Sequence, residues 1–294
     1  MKNKSSLVLV VFAVLMVSYS GPMIKGALGE GATPGSIAFV RMLSAGLLIF
    51  PYELWQIRRK KIVVAFSLSD VGWVFLSALF LAGHYLTWIT SLAGTSTFAS
   101  VALVCTQPLF VAIFSYLLFK ERTPTYALPG AGLSFLGSLV IAFSGVQGGG
   151  QSSIASNLLA LLGAVLMAAH WLTTRHIRKT LCAEIYTPLL YLATAFVLGL
   201  CLPFSGGFVM PSQALPYMVG LVVGSTLLGH AVFSYVLSNV SANLVSFALL
   251  GEPIGAMVFS LIFFGEIPSP MVMVGGCLTL VGLWWYLSSQ RSLA

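Results

Sequence analysis

The sequence predicts an all-α integral membrane protein: ten transmembrane helices forming two inverted five-helix repeats around a central cavity. Three observations carry this. Hydrophobic residues make up 58% of the 294 and charged residues only 7%, against about a quarter charged in soluble domains. Apolar stretches of about 20 residues, the length that crosses a hydrocarbon layer, fill the chain and leave short loops. Residues of the first half also return in the second at one fixed distance. Gln107-Pro108 returns as Glu252-Pro253, Phe119-x-Glu121 as Phe264-x-Glu266, and Gly130 and Gly137 as Gly275 and Gly282, all 145 positions apart.

Taken in order, the expected spans are 6–28, 34–55, 70–93, 97–119, 124–145, 154–174, 187–205, 214–238, 242–264 and 269–289. Lys2 and Lys4 before the apolar run from Leu7 resemble a signal peptide, but more apolar helices follow, so the segment reads as an uncleaved first span. A cytoplasmic N-terminus puts twelve of the fourteen basic residues inside, leaving Lys25 outside and Arg41 within a span. The positive-inside bias and the even span count therefore place both termini in the cytoplasm. The first repeat is 1–146, a Gly-rich outer linker occupies 147–153, and the second repeat is 154–294. Five spans per repeat is an odd number, so the second copy enters the membrane upside down. Further matches are Ala13-Val14-Leu15-Met16 with Ala164-Val165-Leu166-Met167 and Glu30-x-x-Thr33-Pro34 with Glu184-x-x-Thr187-Pro188. Thr33-Pro34, Thr123-Pro124, Thr187-Pro188 and Ser269-Pro270 each read as a capping hydroxyl before a proline at the first helical position. Glu121 and Glu266 are placed to interact with the helix starts that follow them.

The net charge of +7 comes from short basic clusters between apolar runs, the pattern of cytoplasmic loops rather than of a nucleic-acid surface. Cys105, Cys182, Cys201 and Cys277 lack metal-type spacing and read as small packing residues. No cofactor and no metal site are expected.

The duplicated pattern of a proline in the fourth span, a Glu-bearing ending and a Gly-rich fifth span resembles the EamA family of the drug/metabolite transporter superfamily. The resemblance covers nearly the whole chain. It implies ten helices around a cavity, alternating access of the two repeats and location in a bacterial inner membrane. Where many members carry a tryptophan late in the first span, this chain has Tyr19-Ser20, with His170-Trp171 in the second copy.

Glu252 is the residue the sequence singles out. A carboxylate at the centre of a bilayer costs about 2.5–3.5 kcal/mol on the lenient insertion scale, so it must face protein or water. Pro108 and Pro253 each remove a backbone donor in mid-span, and paired helix breaks in two halves point to a transporter site. Arg41 is the other charge inside a span. It either pairs with Glu252 or snorkels outward, leaving Glu252 protonated or matched to a cation. Helical spacing puts Ser77, His84, Trp88 and Ser91 on one stripe of the third span, Thr226, His230 and Ser234 on the eighth, and Gly163, Met167, His170 and Thr174 on the sixth. The histidines read either as satisfied groups bonding helix to helix or as cavity residues. Gln107 reads as interhelical glue that also reaches the cavity, and Trp88, Tyr19, Tyr85 and Tyr235 as packing aromatics or stackers.

The leading expectation is a secondary transporter or exporter of small polar organic metabolites, amino acids or related compounds, working by alternating access. Its partners are a small-molecule substrate, protons and the lipid bilayer. Glu252, with Arg41, is the coupling candidate and takes a proton or the substrate's ammonium group. Gln107, His84, His230 and His170 supply hydrogen bonds, while Trp88, Tyr19 and Tyr235 cover apolar parts. The alternatives are an intramembrane enzyme using His84, His230 and Glu252, a drug or nucleoside carrier of the same superfamily, and a channel. No phosphate-binding loop and no His-Glu-x-x-His or Gly-x-Ser-x-Gly pattern occurs. A complete inverted pair needs no second copy to form a cavity.

Overall fold

The computed structural model describes residues 2–62, 67–121, 125–144, 153–229 and 250–289, and among them there are helices and no strands. The helices are α1 (Lys2–Ser18), α2 (Ser20–Gly29), α3 (Pro34–Lys60), α4 (Leu68–Leu92), α5 (Thr97–Val104), α6 (Gln107–Phe119), α7 (Leu128–Phe143), α8 (Ile154–Ile177), α9 (Ala183–Cys201), α10 (Leu215–Val219), α11 (Glu252–Phe264) and α12 (Pro270–Ser289). α10 continues over Gly220–Gly229 in wider π-helical turns. Nine segments among the described residues are long and apolar enough to cross a membrane, and α11 is a shorter apolar helix beside them. The protein is an all-α membrane protein.

Two boundaries differ from expectation. α3 runs past Pro51 to Lys60 and ends where Lys61 turns left-handed at φ 52°. α9 starts at Ala183 behind Cys182, so Pro188 lies inside the helix instead of opening it. The capping reading of Thr187-Pro188 is thereby corrected. At Thr33 the hydroxyl bonds Ser36 and the Gly207 carbonyl, so it ties two loops together instead of capping a backbone amide. Thr123-Pro124 lies outside the described residues, as does most of the expected linker.

The mid-span breaks are also of a different kind. Span four stops at Val104, turns through Cys105 and Thr106, and starts afresh at Gln107, with Pro108 in the first turn of α6. Glu252 and Pro253 open α11 in the same way. A proline in the first turn costs nothing, because that N–H has no partner inside the helix. Gln107 and Glu252 thus sit at the positive ends of half-helices, where a carboxylate is favoured.

The helix pairings are unchanged when the two halves are exchanged. α7 packs on α12 and α3 on α9, each a helix against its own counterpart, while α4 against α8 matches α1 against Gly220–Gly229. Direction is fixed by the glycines. Gly130 faces Gly282 and Tyr286, and Gly137 faces Gly275 and Thr279, so α7 and α12 run antiparallel. A Cβ at any of these four glycines would overlap backbone atoms of the facing helix, an approach typical of small-residue interfaces in membranes.

Gly137→Leu and Gly282→Leu should each destabilise the protein by about 3 kcal/mol or more, the upper range for overpacking. Gly132, with nothing near its would-be Cβ, should accept alanine within about 1 kcal/mol. Thermal unfolding in detergent separates the two classes.

Candidate functional site

The polar stripes of α4 and α8 meet each other. His84 Nδ1–H donates to the Gly163 carbonyl at 2.9 Å, and the imidazole is stacked on Trp88 with centroids 5.6 Å apart. Two helical turns away, back along α4 and onward along α8, His170 Nδ1 lies 2.9 Å from Ser77 Oγ, which also contacts Tyr186 OH at 2.8 Å, and Tyr186 OH reaches Thr174 at 2.6 Å. Ser91 bonds Ser100 at 2.6 Å. Ser77, His84, Trp88 and Ser91 are all buried. His84 and His170 therefore staple α4 to α8, and Tyr186, which the sequence pattern did not single out, extends the network to α9. Tyr19 packs edge-on against Phe259 and Phe263 at 5.5 and 5.7 Å, between α1 and α11. His230 and Tyr235 lie outside the described residues.

Arg41 does not snorkel outward. It is only 3% exposed. Its Nε donates to Thr226 Oγ1 at 3.0 Å and one Nη to Ser20 Oγ at 3.2 Å. The guanidinium lies over the Tyr85 ring at 4.7 Å and near the Trp88 ring at 5.9 Å, a cation–π arrangement. The wide turns of Gly220–Gly229 serve this contact, since Thr226 Oγ1 also reaches the Leu221 carbonyl five residues back. All seven carboxylates belong to described residues. Among those residues the ion pairs are Lys25–Glu266, Lys60–Glu184 and Arg175–Glu121, so Arg41 and Glu252 do not form one. Span one bridges them: Ser20 holds Arg41, and Ser18 presses on Gly255, one turn beyond Glu252. Two buried polar atoms here have no partner among the described residues, Trp88 Nε1 and Gln107 Oε1.

Glu121 and Glu266 both bond distant helices, and the start that follows Glu121 lies outside the described residues. Glu266 accepts from Lys25 Nζ at 2.8 Å and from both the amide and hydroxyl of Thr97 at 2.8 Å, while Lys25 also donates to the Thr95 carbonyl. It thus caps α5 and pins the end of α2. Glu121 takes a two-pronged contact from Arg175 at 2.7 and 2.9 Å. The two pairs occupy corresponding places in the two halves and opposite faces of the helix bundle. They are unequal: the side chains are 30% and 10% exposed for Lys25 and Glu266 and 54% and 46% for Arg175 and Glu121.

Two clefts flank the α7–α12 pair. One of about 660 Å³ lies between α6 and α7 and is closed by Tyr286, and one of about 600 Å³ lies between the start of α11 and α12 and is bordered by Gly251 and Trp284. Both open sideways and neither includes Arg41, His84 or Trp88.

The model of the EamA-like transporter family matches twice, over residues 4–143 and 154–288. The chain belongs to the EamA-like transporter family. Among EamA-like and other relatives, an uncharacterized transporter, YdfC, of Bacillus subtilis (strain 168) is 30% identical over 272 residues, which are 89% of this chain and 84% of YdfC. A probable terminal-alkyne amino-acid exporter of Streptantibioticus cattleyicolor is 26% identical, over 68% of this chain and 65% of its own. A riboflavin transporter of Rhizobium johnstonii is also 26% identical, over 75% and 72%. A solved crystal structure shares the fold at a TM-score of 0.62 with 17% identity, covering 99% of both chains. The chain is thus a membrane transporter of the EamA-like family.

His170→Ala should lower stability by about 1–3 kcal/mol, since it removes the imidazole partner of the buried Ser77 hydroxyl and leaves a gap between α4 and α8, as read by thermal unfolding. The hydrogen bonds from Arg175 hold the Glu121 carboxyl below its ordinary range. Such a group stabilises the folded pair at neutral pH and loses that effect as pH falls through the lowered value. The Arg175–Glu121 contact should therefore persist through mildly acidic pH and open only in stronger acid, which the pH dependence of cross-linking across the two loops would register.

Proposed function

We propose that the protein is a secondary carrier of small polar organic metabolites, amino acids or related compounds, working by alternating access of its two repeats in a bacterial inner membrane with both termini cytoplasmic. The observation that carries this reading is the matched pair of ion pairs, Lys25–Glu266 and Arg175–Glu121, at opposite faces of a bundle whose helix pairings survive exchange of its halves. In an inverted repeat, closing one face corresponds by symmetry to opening the other. The less exposed pair joins Lys25 to Glu266, with Glu266 also held by Thr97, so this conformation reads as the one sealed on the side opposite the N-terminus. The amino-acid class is supported by one relative, the probable terminal-alkyne amino-acid exporter of Streptantibioticus cattleyicolor.

Glu252 is the coupling group of this carrier. It opens a half-helix within the membrane, carries no ion pair among the described residues, and takes either a proton or the ammonium group of the substrate. Gln107, at the matching place in the first repeat, presents an unpartnered carbonyl oxygen to the same interior. The repeat units 1–146 and 154–294 move against each other, with 147–153 as the link.

In proteoliposomes, Glu252→Gln should flatten the pH dependence of flux, and unchanged transport with an unchanged pH profile would remove Glu252 from coupling. Lys25→Glu should slow transport on the order of tenfold by setting two like charges together at the seal. The double variant Lys25→Glu/Glu266→Lys should recover most of it. A double variant no better than the single one refutes the gating role.

A further inference from the structure

The guanidinium of Arg41 is a buried charge that makes no ion pair among the described residues. A guanidinium has five N–H donors in a planar fork. Two are used, one on Thr226 and one on Ser20. The aromatic rings of Tyr85 and Trp88 occupy its face, and among the described residues an edge of N–H groups is left free. Beside it, Trp88 is 5% exposed and its Nε1–H has no acceptor among those residues. Trp88 is held in that position by His84, which is itself pinned to the Gly163 carbonyl. Leaving a buried donor unmade is costly, and leaving a buried charge unpaired more so. In a membrane interior such a set persists only if something that visits the site completes it.

We infer that Arg41 and Trp88 form the carboxylate-binding pole of the transport site, and that the substrate carries a free α-carboxylate at this pole and an amino group at Glu252. The inference rests on the carrier reading above and sharpens its substrate class. A carboxylate has two oxygens with the spacing of the guanidinium fork and lone pairs to spare for the indole N–H. It also neutralises the buried cation, which an alcohol, amide or sugar hydroxyl cannot do. Glu252 has the opposite need, a carboxyl with no ion-pair partner among the described residues, and Ser18 and Ser20 of span one place it next to the same interior. Two charges of opposite sign that form no direct ion pair match a zwitterion lying between them. Tyr85 and Trp88 offer apolar surface to the rest of the molecule. His84 is a positioning residue: it stacks on the indole and fixes where Nε1 points.

The test uses the full chain and two probes, an equimolar mixture of the proteinogenic amino acids other than aspartate and glutamate and the matching mixture of their α-carboxamides, read by thermal shift in detergent with fluoride as the only other anion. The free acids should raise the melting temperature of the wild type and the amides should not. Arg41→Gln should weaken the response to the acids on the order of thirtyfold, the scale for removing one partner of a buried charge pair, and Arg41→Lys should keep part of it. Amides as effective as acids, an undiminished response in Arg41→Gln, or the same shift from chloride alone would overturn the inference. If Arg41→Gln does not fold, the comparison of acids, amides and chloride on the wild type still decides. Proteoliposomes that carry riboflavin or other neutral metabolites and ignore both mixtures refute this assignment and leave the carrier standing. Vesicles inert to every probe refute both.

Discussion

Four glycines set the geometry of this protein. Gly130, Gly137, Gly275 and Gly282 let α7 and α12 lie backbone against backbone, with no side chain between them. Because the two helices are counterparts and run antiparallel, that contact places the pseudo-two-fold axis in the membrane plane and not along the membrane normal. The other pairings follow: α3 on α9, and α4 on α8 matched by α1 on Gly220–Gly229. Without a hydrophobic force between helices in lipid, this close approach is what binds the halves.

Around that seam the interior polar groups divide into two kinds. Most are satisfied by neighbours: His84 on Gly163, His170 on Ser77, Ser91 on Ser100, and Asn157 on the carbonyl of Ile141 and the hydroxyl of Thr95. These hold the bundle together as any buried group must be held where no water reaches. A few have no partner among the described residues, namely the free edge of Arg41, the indole N–H of Trp88, the amide oxygen of Gln107 and the hydroxyls of Ser134 and Ser260. Of these, Arg41 and Trp88 lie together, and that grouping is what turns a packed core into a site.

The class of fold was legible because hydrocarbon tolerates few sequences: composition, span length and the 145-residue offset left little else possible. The glycine pairs were legible for the same reason, since only a repeated close contact keeps glycine at both offsets. What a single helix presents was also readable, as the α4 and α8 stripes show. What was not legible is which stripe meets which. The pattern left His84 and His170 open between bond and cavity, and only the packing of α4 on α8 makes them staples. Glu266 could not be assigned from its neighbourhood, because its partners Lys25 and Thr97 are 241 and 169 residues away. Pro188 misled because Thr-Pro marks a helix start only when the preceding residues are not already helical, and α9 had begun at Ala183. Ser20 and Thr226 gain their meaning from Arg41 alone.

The unequal ion pairs have a consequence for how tightly the protein holds its cargo. Glu266 does two jobs, neutralising Lys25 and capping α5 through Thr97, so opening that face means uncapping a helix as well as parting two charges. The more exposed Arg175–Glu121 contact has only itself to lose. The two orientations of the carrier are then unequally populated at rest. Affinity measured from the disfavoured side is reduced by the fraction of molecules that face it. The gradient alone sets the direction of net movement, but this tilt sets the concentration at which each side saturates, and substitutions at Thr97, far from any bound molecule, would reset it.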